Sequence, residues 1–242
     1  MIPPLQLLDA TFASPADNLA CDEALLDELE SGHGFPTLRF WESPTPFVVL
    51  GYANKIAAET NVPACQRLNV PILRRSSGGG AVVQGFGCLN YNLTLPITDE
   101  TANITDTNCF IMRRHRDALA QLLQTEIKIQ GHTDLTLGPL KFSGNAQRRK
   151  SRALVFHGCF LLHEFDLGLI DALLLHPTRE PAYRAQRNHH DFLTRLSTPR
   201  EQIKAALAAA WFATESSTIP SRLGIEALVA ERYGNANWNE KF

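Results

Sequence analysis

"RRSSGGGAVV", residues 74–83, sets two arginines and two serines in front of three consecutive glycines and then turns β-branched. In a regular element each glycine costs about 1 kcal/mol relative to alanine, so Gly78, Gly79 and Gly80 mark a place that needs bare backbone. A plain turn into a strand beginning near Ala81 would use them. The flanks point further. Arg74 and Arg75 bring fixed positive charge and Ser76 and Ser77 bring hydroxyls, the groups that stand beside backbone amides where a phosphate or carboxylate is held. The stretch has neither the GK[ST] ending of a P-loop nor the helix-opening second half of a dinucleotide fingerprint.

The rest of the chain narrows the class. Its 242 residues can bury a substantial core as one large domain or two small ones. A formal net charge of -2, with both signs interspersed, argues against a general nucleic-acid binder. Five cysteines (21, 65, 88, 109 and 159) form no CxxC pair, which suits reduced thiols better than a disulfide framework or a zinc site. The opening MIPPLQLLDATF has no basic-then-apolar leader, and no run of eighteen apolar residues occurs, so a cytoplasmic chain without a membrane anchor is expected. The polar stretch 98–109 is the most evident internal seam, with a helix after it.

Periodicity predicts a first helix after Ser14-Pro15, with Asp17 in a capping-box position and an end near Gly32. TLRFWE (37–42) and PFVVLGY (46–52) read as a hairpin around Ser-Pro-Thr-Pro. Residues 55–68 read as one helix, and PILRR, AVVQGFG and LNYNLTLP as strands, the last alternating well enough to put one face on the core. A helix over 111–123 precedes four strands, TEIKIQ, TDLTLG, LKFSGNAQ and ALVFHGCFLL. Further helices are expected near 167–175, 199–213 and 221–232. Strands in blocks, with helices between blocks, predict an α+β fold with a mixed or largely antiparallel sheet flanked by helices.

A second small-residue site lies in PLKFSGNAQRRKSRALVFHG, where Lys141 precedes Ser143, Gly144, Asn145 and Ala146, and His157 follows. A lone lysine is usually solvated. A strand lysine beside small residues can instead reach a phosphate or acyl carbonyl. Arg148, Arg149, Lys150 and Arg152 form a basic run, read either as a solvated loop or as a docking patch for an acidic partner. His189 and His190 are adjacent and so diverge, which argues against one shared metal ion.

Taken together, RRSSGGGAVV, GCLNYNLTLP, TDLTLGPLKFSGNAQ and FHGCFLL resemble the lipoate-protein ligase A-like branch of the biotin and lipoate protein ligase family. DNLACDEALL, LRFWESPTPFVVLGY and PAYRAQRNHHDFLTRL extend the likeness over most of residues 7–196. The resemblance implies a catalytic domain like those of class II aminoacyl-tRNA synthetases and biotin/lipoate ligases. That domain would span 1–242, with 197–242 a small helical portion and no large accessory C-terminal domain. It implies ATP-dependent activation of lipoate or octanoate to an acyl adenylate, with Mg2+ in the substrate complex, then transfer to a lysine of a lipoyl carrier domain. The carrier would be a 2-oxoacid dehydrogenase E2, a glycine cleavage H protein or a similar partner, and a separate accessory polypeptide could assist activation; neither nucleic acid nor membrane is implied. By matching positions, Lys141 would touch acyl carbonyl and phosphate. Arg75, Ser77 and the Gly78-Gly79-Gly80-Ala81 loop, running into Val82 and Val83, would line the acyl adenylate. Ser143 to Ala146 would form the small-residue turn after the lysine, and His157 with Gly158 would match the family's HHG stretch. Asp134 would serve the nucleotide or its Mg2+.

Two other readings compete. An octanoyl or lipoyl transferase would carry the acyl group on a cysteine thioester. Residues 124–140, the loop where related transferases keep that cysteine, contain none. Cys88 and Cys159 are left, and Cys159 sits in an apolar run where cysteine is commonly a small buried hydrophobe. A non-catalytic carrier-binding protein would have no use for a cation such as Lys141.

Overall fold

The computed structural model describes residues 2–242. Its strands are β1 (Gln6–Asp9), β2 (Thr37–Trp41), β3 (Phe47–Leu50), β4 (Ile72–Arg74), β5 (Val82–Gln84), β6 (Cys88–Pro96), β7 (Lys128–Gln130), β8 (Asp134–Leu137), β9 (Leu140–Arg149), β10 (Ala153–Leu161) and β11 (Glu215–Ser216). Eight make one mixed sheet in the order β11-β1-β2-β6-β10-β9-β8-β7, and β4-β3-β5 make a second, small sheet. Only the two pairings of β1 are parallel in the large sheet, so the expected α+β architecture holds.

The alternation in LNYNLTL is the reason β6 sits centrally. Leu89, Tyr91, Leu93 and Leu95 face the main core, which helices Ile104–Leu123 and Arg200–Ala210 close with Ile111, Leu119, Ile203 and Leu207. The other face carries Asn90, Asn92 and Thr94, all buried as well. The helix Pro15–Ser31 covers that side, and it too brings polar groups. Arg39, fully buried on β2, donates to Asp22 Oδ1 at 2.6 Å, to the Asn18 carbonyl and side chain at 2.8 Å each, and to the Ala10 carbonyl. Trp41 Nε1 donates to the other Asp22 oxygen at 3.2 Å. A buried ion pair survives desolvation only when its remaining valences are filled, and here they are. DNLACDEALL is therefore a helix whose polar side is as buried as its apolar one.

Several local expectations give way. TLRFWE and PFVVLGY do not pair: β2 joins the large sheet and β3 the small one. Pro44 and Pro46 lack the N–H groups a hairpin ladder needs, so the segment between serves as a crossover between sheets. Residues 55–68 break at Thr60 into two short helices, Ile56–Glu59 and Val62–Arg67. The first helix has Ser14 at its N-cap without a side-chain cap bond, so Asp17 completes no capping box; Gly32 ends it in the left-handed conformation as expected. The 98–109 stretch is no seam, since a 3-10 turn at Asp99–Thr101 leads directly into the helix from Ile104. Ser143 to Ala146 lie in the middle of β9 rather than in a turn, paired with β10 from Phe160 to His157.

His115 packs edge-on against Tyr91 and Trp211, and its Nε2 accepts a 2.8 Å bond from Trp211 Nε1. Burial, aided by Arg114, pushes its pKa down to about 3. The unfolded chain takes up a proton there near pH 6.5 and the native state does not, so this stability is complete above that pH and is lost as pH falls toward 3. We expect urea unfolding to lose about 1.4 kcal/mol per pH unit below about pH 6 from this residue. His115→Gln, which keeps the acceptor, should flatten the slope by that amount; an unchanged slope would refute the burial argument.

Candidate functional site

Arg75, Gly78 to Val83, Asp134, Lys141, Ser143 to Ala146, His157 and Gly158 line one cavity of about 1140 Å³ between the two sheets, whereas Arg74, Ser76 and Ser77 do not line it. Ser77 joins them through His157, whose Nε2 lies 2.6 Å from Ser77 Oγ.

The glycine loop is organised around Arg75. Its Nη2 donates to the Gly78 and Gly80 carbonyls at 2.6 and 2.8 Å, its Nε to Ser77 Oγ at 3.1 Å and its Nη1 to the Val49 carbonyl at 3.3 Å. The side chain is almost wholly buried and every acceptor is neutral. Burial lowers its pKa to about 10, which still leaves it charged at neutral pH. Because peptides are trans and planar, carbonyls of Gly78 and Gly80 drawn onto Arg75 send the Gly79 and Ala81 N–H groups to the opposite side. Gly79 has φ +90°, which only bare backbone adopts without strain. Ser77 Oγ thus links the Arg75 guanidinium, from which it accepts, to the His157 ring. Burial, with Arg75 nearby, pushes the His157 pKa down to about 3, which keeps the ring neutral.

Across the cavity, Lys141 Nζ pairs with Asp134 Oδ1 at 2.8 Å, and Tyr183 donates to Asp134 Oδ2 at 2.7 Å. Burial and Asp134 both raise the Tyr183 pKa, so it is a donor throughout the physiological range. A Cβ on Gly144 would meet Lys141 Nζ at 2.8 Å, so the bare residue leaves the lysine its path across the strand. Asn145 crosses from β9 toward β10 and β6: it accepts a 2.5 Å bond from Tyr91 and donates to the Thr133 carbonyl. A Cβ on Gly158 would lie 1.8 Å from its Oδ1. The Gly131–Asp134 segment is thereby tied to the centre of the sheet.

Sequence reasoning missed two groups here, Tyr91 and Tyr183, and named Cys159 only for the competing transferase reading. Tyr91 was assigned only to the core, yet its hydroxyl reaches the site. Tyr183 lies in the PAYRAQ stretch, where nothing in the local pattern singled it out. Cys159 is buried as expected but lines the cavity. A hydrogen bond from the Cys88 thiol holds the Cys159 pKa below its ordinary value against burial, with Lys141 and Arg75 adding to the effect.

The basic run is neither a solvated loop nor a free patch. Arg149 donates to the Thr101 and Ala102 carbonyls, Lys150 pairs with Asp27, Arg152 binds Glu30, and Arg148 reaches the Ser76 carbonyl. His189 bonds the Leu175 carbonyl, and no described group of three His, Cys, Asp or Glu side chains could hold a metal ion. Asp134 stands as a single carboxylate, which suits only a cation that arrives already coordinated by phosphates, as magnesium does with ATP.

The model for the lipoyl protein ligase A/B catalytic domain matches residues 14–211. The chain belongs to that family. It is thus an enzyme of the lipoate ligase and transferase group, and both activities occur among the names of its relatives. It is 33% identical over 158 residues to the Aeropyrum pernix protein named "Putative lipoate-protein ligase A", a match covering 64% of this chain and 57% of that one. It is 27% identical over 267 residues to the octanoyltransferase LipM of Carboxydothermus hydrogenoformans, covering 98% of each. Among solved structures, a lipoate-protein ligase A bound with ATP superposes with a TM-score of 0.77 at 23% identity, covering 99% of both chains. A bi-partite lipoate protein ligase described with its E2 lipoyl domain, from Thermoplasma acidophilum, gives 0.78 at 20%, covering 98% of this chain and 96% of that one. These structures establish the fold, a mixed sheet flanked by helices that this chain shares with them. No described helix is long and apolar enough to cross a membrane.

Gly158→Ala should displace Asn145 and break both of its side-chain bonds, costing about 1–3 kcal/mol. Chemical denaturation reads this directly; an unchanged midpoint would mean that Asn145 does not cross at Gly158.

Proposed function

We propose that the chain is an acyl-adenylate-forming lipoate-protein ligase, acting as one catalytic domain whose 197–242 portion is a small helical addition. The observation that carries the reading is a buried guanidinium without a carboxylate partner, Arg75, facing across one cavity the ammonium of Lys141. Such a site favours an anion. In the first step a lipoate or octanoate carboxylate oxygen attacks the α-phosphorus of ATP, and the bond to the β-phosphate breaks with loss of pyrophosphate. The glycine loop, with its Gly79 and Ala81 N–H groups turned away from Arg75, holds the acyl phosphate. Asp134 would hold the magnesium that arrives with the nucleotide, which would neutralise phosphate charge, and its bond to Lys141 would then be given up. Lys141, released, bridges acyl carbonyl and phosphate. In the second step a deprotonated lysine amine of a lipoyl carrier domain attacks the carbonyl carbon and AMP leaves. Leu19, Trp41 and Val49 supply an apolar stretch of cavity wall for the acyl tail.

A second reading has its own support. Cys159 faces the cavity near Lys141 with a lowered pKa, and the octanoyltransferase relative matches end to end. We favour the ligase because Cys159 is only 8% exposed and no cysteine lies in residues 124–140.

One measurement tests Lys141 in either reading, and a second separates the two. Lys141→Ala should leave a folded protein and cut carrier lipoylation by about 100-fold or more. Near-parental turnover would remove Lys141 from the mechanism. Cys88 and Cys159 replaced together by serine should preserve ATP-dependent lipoylation and pyrophosphate release, whereas a hydroxylamine-sensitive acyl adduct on Cys159 after incubation with octanoyl carrier would establish the transferase instead.

A further inference from the structure

Residues 233–239 lie beyond the stretch matched by the family model, and nothing in their sequence suggested a part in the site. The structure brings them against the back of the glycine loop. Arg74, fully buried, turns away from the cavity and hydrogen-bonds to carbonyls, Gly51, Tyr52 and Asn54 at 3.1, 3.0 and 2.7 Å through Nη1 and Asn239 at 3.0 Å through Nη2, with its guanidinium 5.3 Å from the Phe242 ring centroid. Its Nε reaches the Trp238 and Asn239 carbonyls at 3.2 Å each. The main chain of Arg74 is clamped as well. Its N–H donates to Asn239 Oδ1 at 2.9 Å, and its carbonyl accepts from Trp238 Nε1 at 2.8 Å. A parallel route runs through Tyr233, which donates to buried Glu23; Glu23 lies 3.8 Å from Arg148, and Arg148 donates to the Ser76 carbonyl at 3.1 Å.

These bonds are specific in kind. Among the described residues no carboxylate pairs with Arg74, so its charge is solvated by carbonyls, and those that receive Nε and Nη2 come from the 238–239 segment. Remove that segment and a buried cation loses acceptors one residue before Arg75, on which the loop is folded. We propose that residues 233–239 are a brace that sets the ligand-binding conformation of the glycine loop, with Tyr233, Trp238 and Asn239 as positioning residues acting through Arg74 and Ser76. The choice of lipoate as the ligand rests on the ligase reading; the brace itself does not.

The test uses the full chain with Asn239→Ala and with Trp238→Phe, which keeps a ring but loses the indole N–H. Ile203→Ala serves as the control: it removes core volume from the helix Arg200–Ala210 in the main core, a cluster to which neither Arg74 nor any brace residue belongs, and destabilises without touching either. Hydrogen exchange at the Tyr52 amide, which donates to the Ser77 carbonyl, and at the Arg75 amide, which donates to the Leu50 carbonyl, should accelerate at least about tenfold in the two brace variants and not in the control. The lipoate KM for pyrophosphate release should rise by at least about tenfold with kcat within about threefold, again not in the control. Equal exchange in brace and control variants would overturn the proposal, as would an unchanged KM in a loop shown to be loosened. A parental protein that releases no pyrophosphate would sink the ligase reading, and the exchange contrast would still decide the brace.

Discussion

A guanidinium buried without a carboxylate is the constraint from which the site follows. Arg75 stays charged, so the fold must solvate it with neutral oxygens, and the nearest are the carbonyls of the glycine loop. A carbonyl drawn inward leaves its N–H partner pointing outward. The outward-facing N–H groups of the loop are therefore the other side of the interaction that keeps Arg75 buried. Glycine is needed because the backbone has to take a left-handed turn while supplying these oxygens.

The opposite wall depends on register. In β6, β10 and β9, Tyr91, Gly158 and Asn145 fall at the same level, as do Asn92, His157 and Ala146. The first row ties the Thr133 segment to the sheet, and the second places the neutral imidazole beside Ser77. A one-residue slip in either pairing would turn these side chains to the other face. The extended ladder of nine paired positions between β6 and β10 makes such a slip expensive.

Much of this was legible in the chain. Three adjacent glycines after two arginines announced backbone that has to stay bare, LNYNLTL announced the central strand, and Lys141 with its small neighbours announced the wall across the cavity from that loop. What escaped was set by contacts distant in sequence. Nothing between Thr37 and Tyr52 tells that its two strands enter different sheets, although the two prolines limit their pairing. Ser143 to Ala146 look like a turn because small polar residues usually make turns; here they are small because Lys141 and Asn145 need room beside a strand. The basic run looked solvated because its acceptors, backbone carbonyls at 76, 101 and 102, leave no mark on composition. Trp238 and Asn239 were invisible for the same reason, being joined to Arg74 from 164 and 165 residues away.

Arg74 and Arg75 are neighbours that serve opposite sides of one extended backbone, the first reaching backward to 238–239 and the second forward over the glycines. Their roles are assigned by parity alone. Loss or gain of one residue between Ile72 and Arg75 would exchange their directions without changing composition, whereas length changes near Pro44, on the linker between sheets, leave that parity alone. Insertions and deletions should therefore accumulate in descendants of this chain at the linker and be purged at the arginine pair, a pattern that substitution tolerance by itself would not reveal.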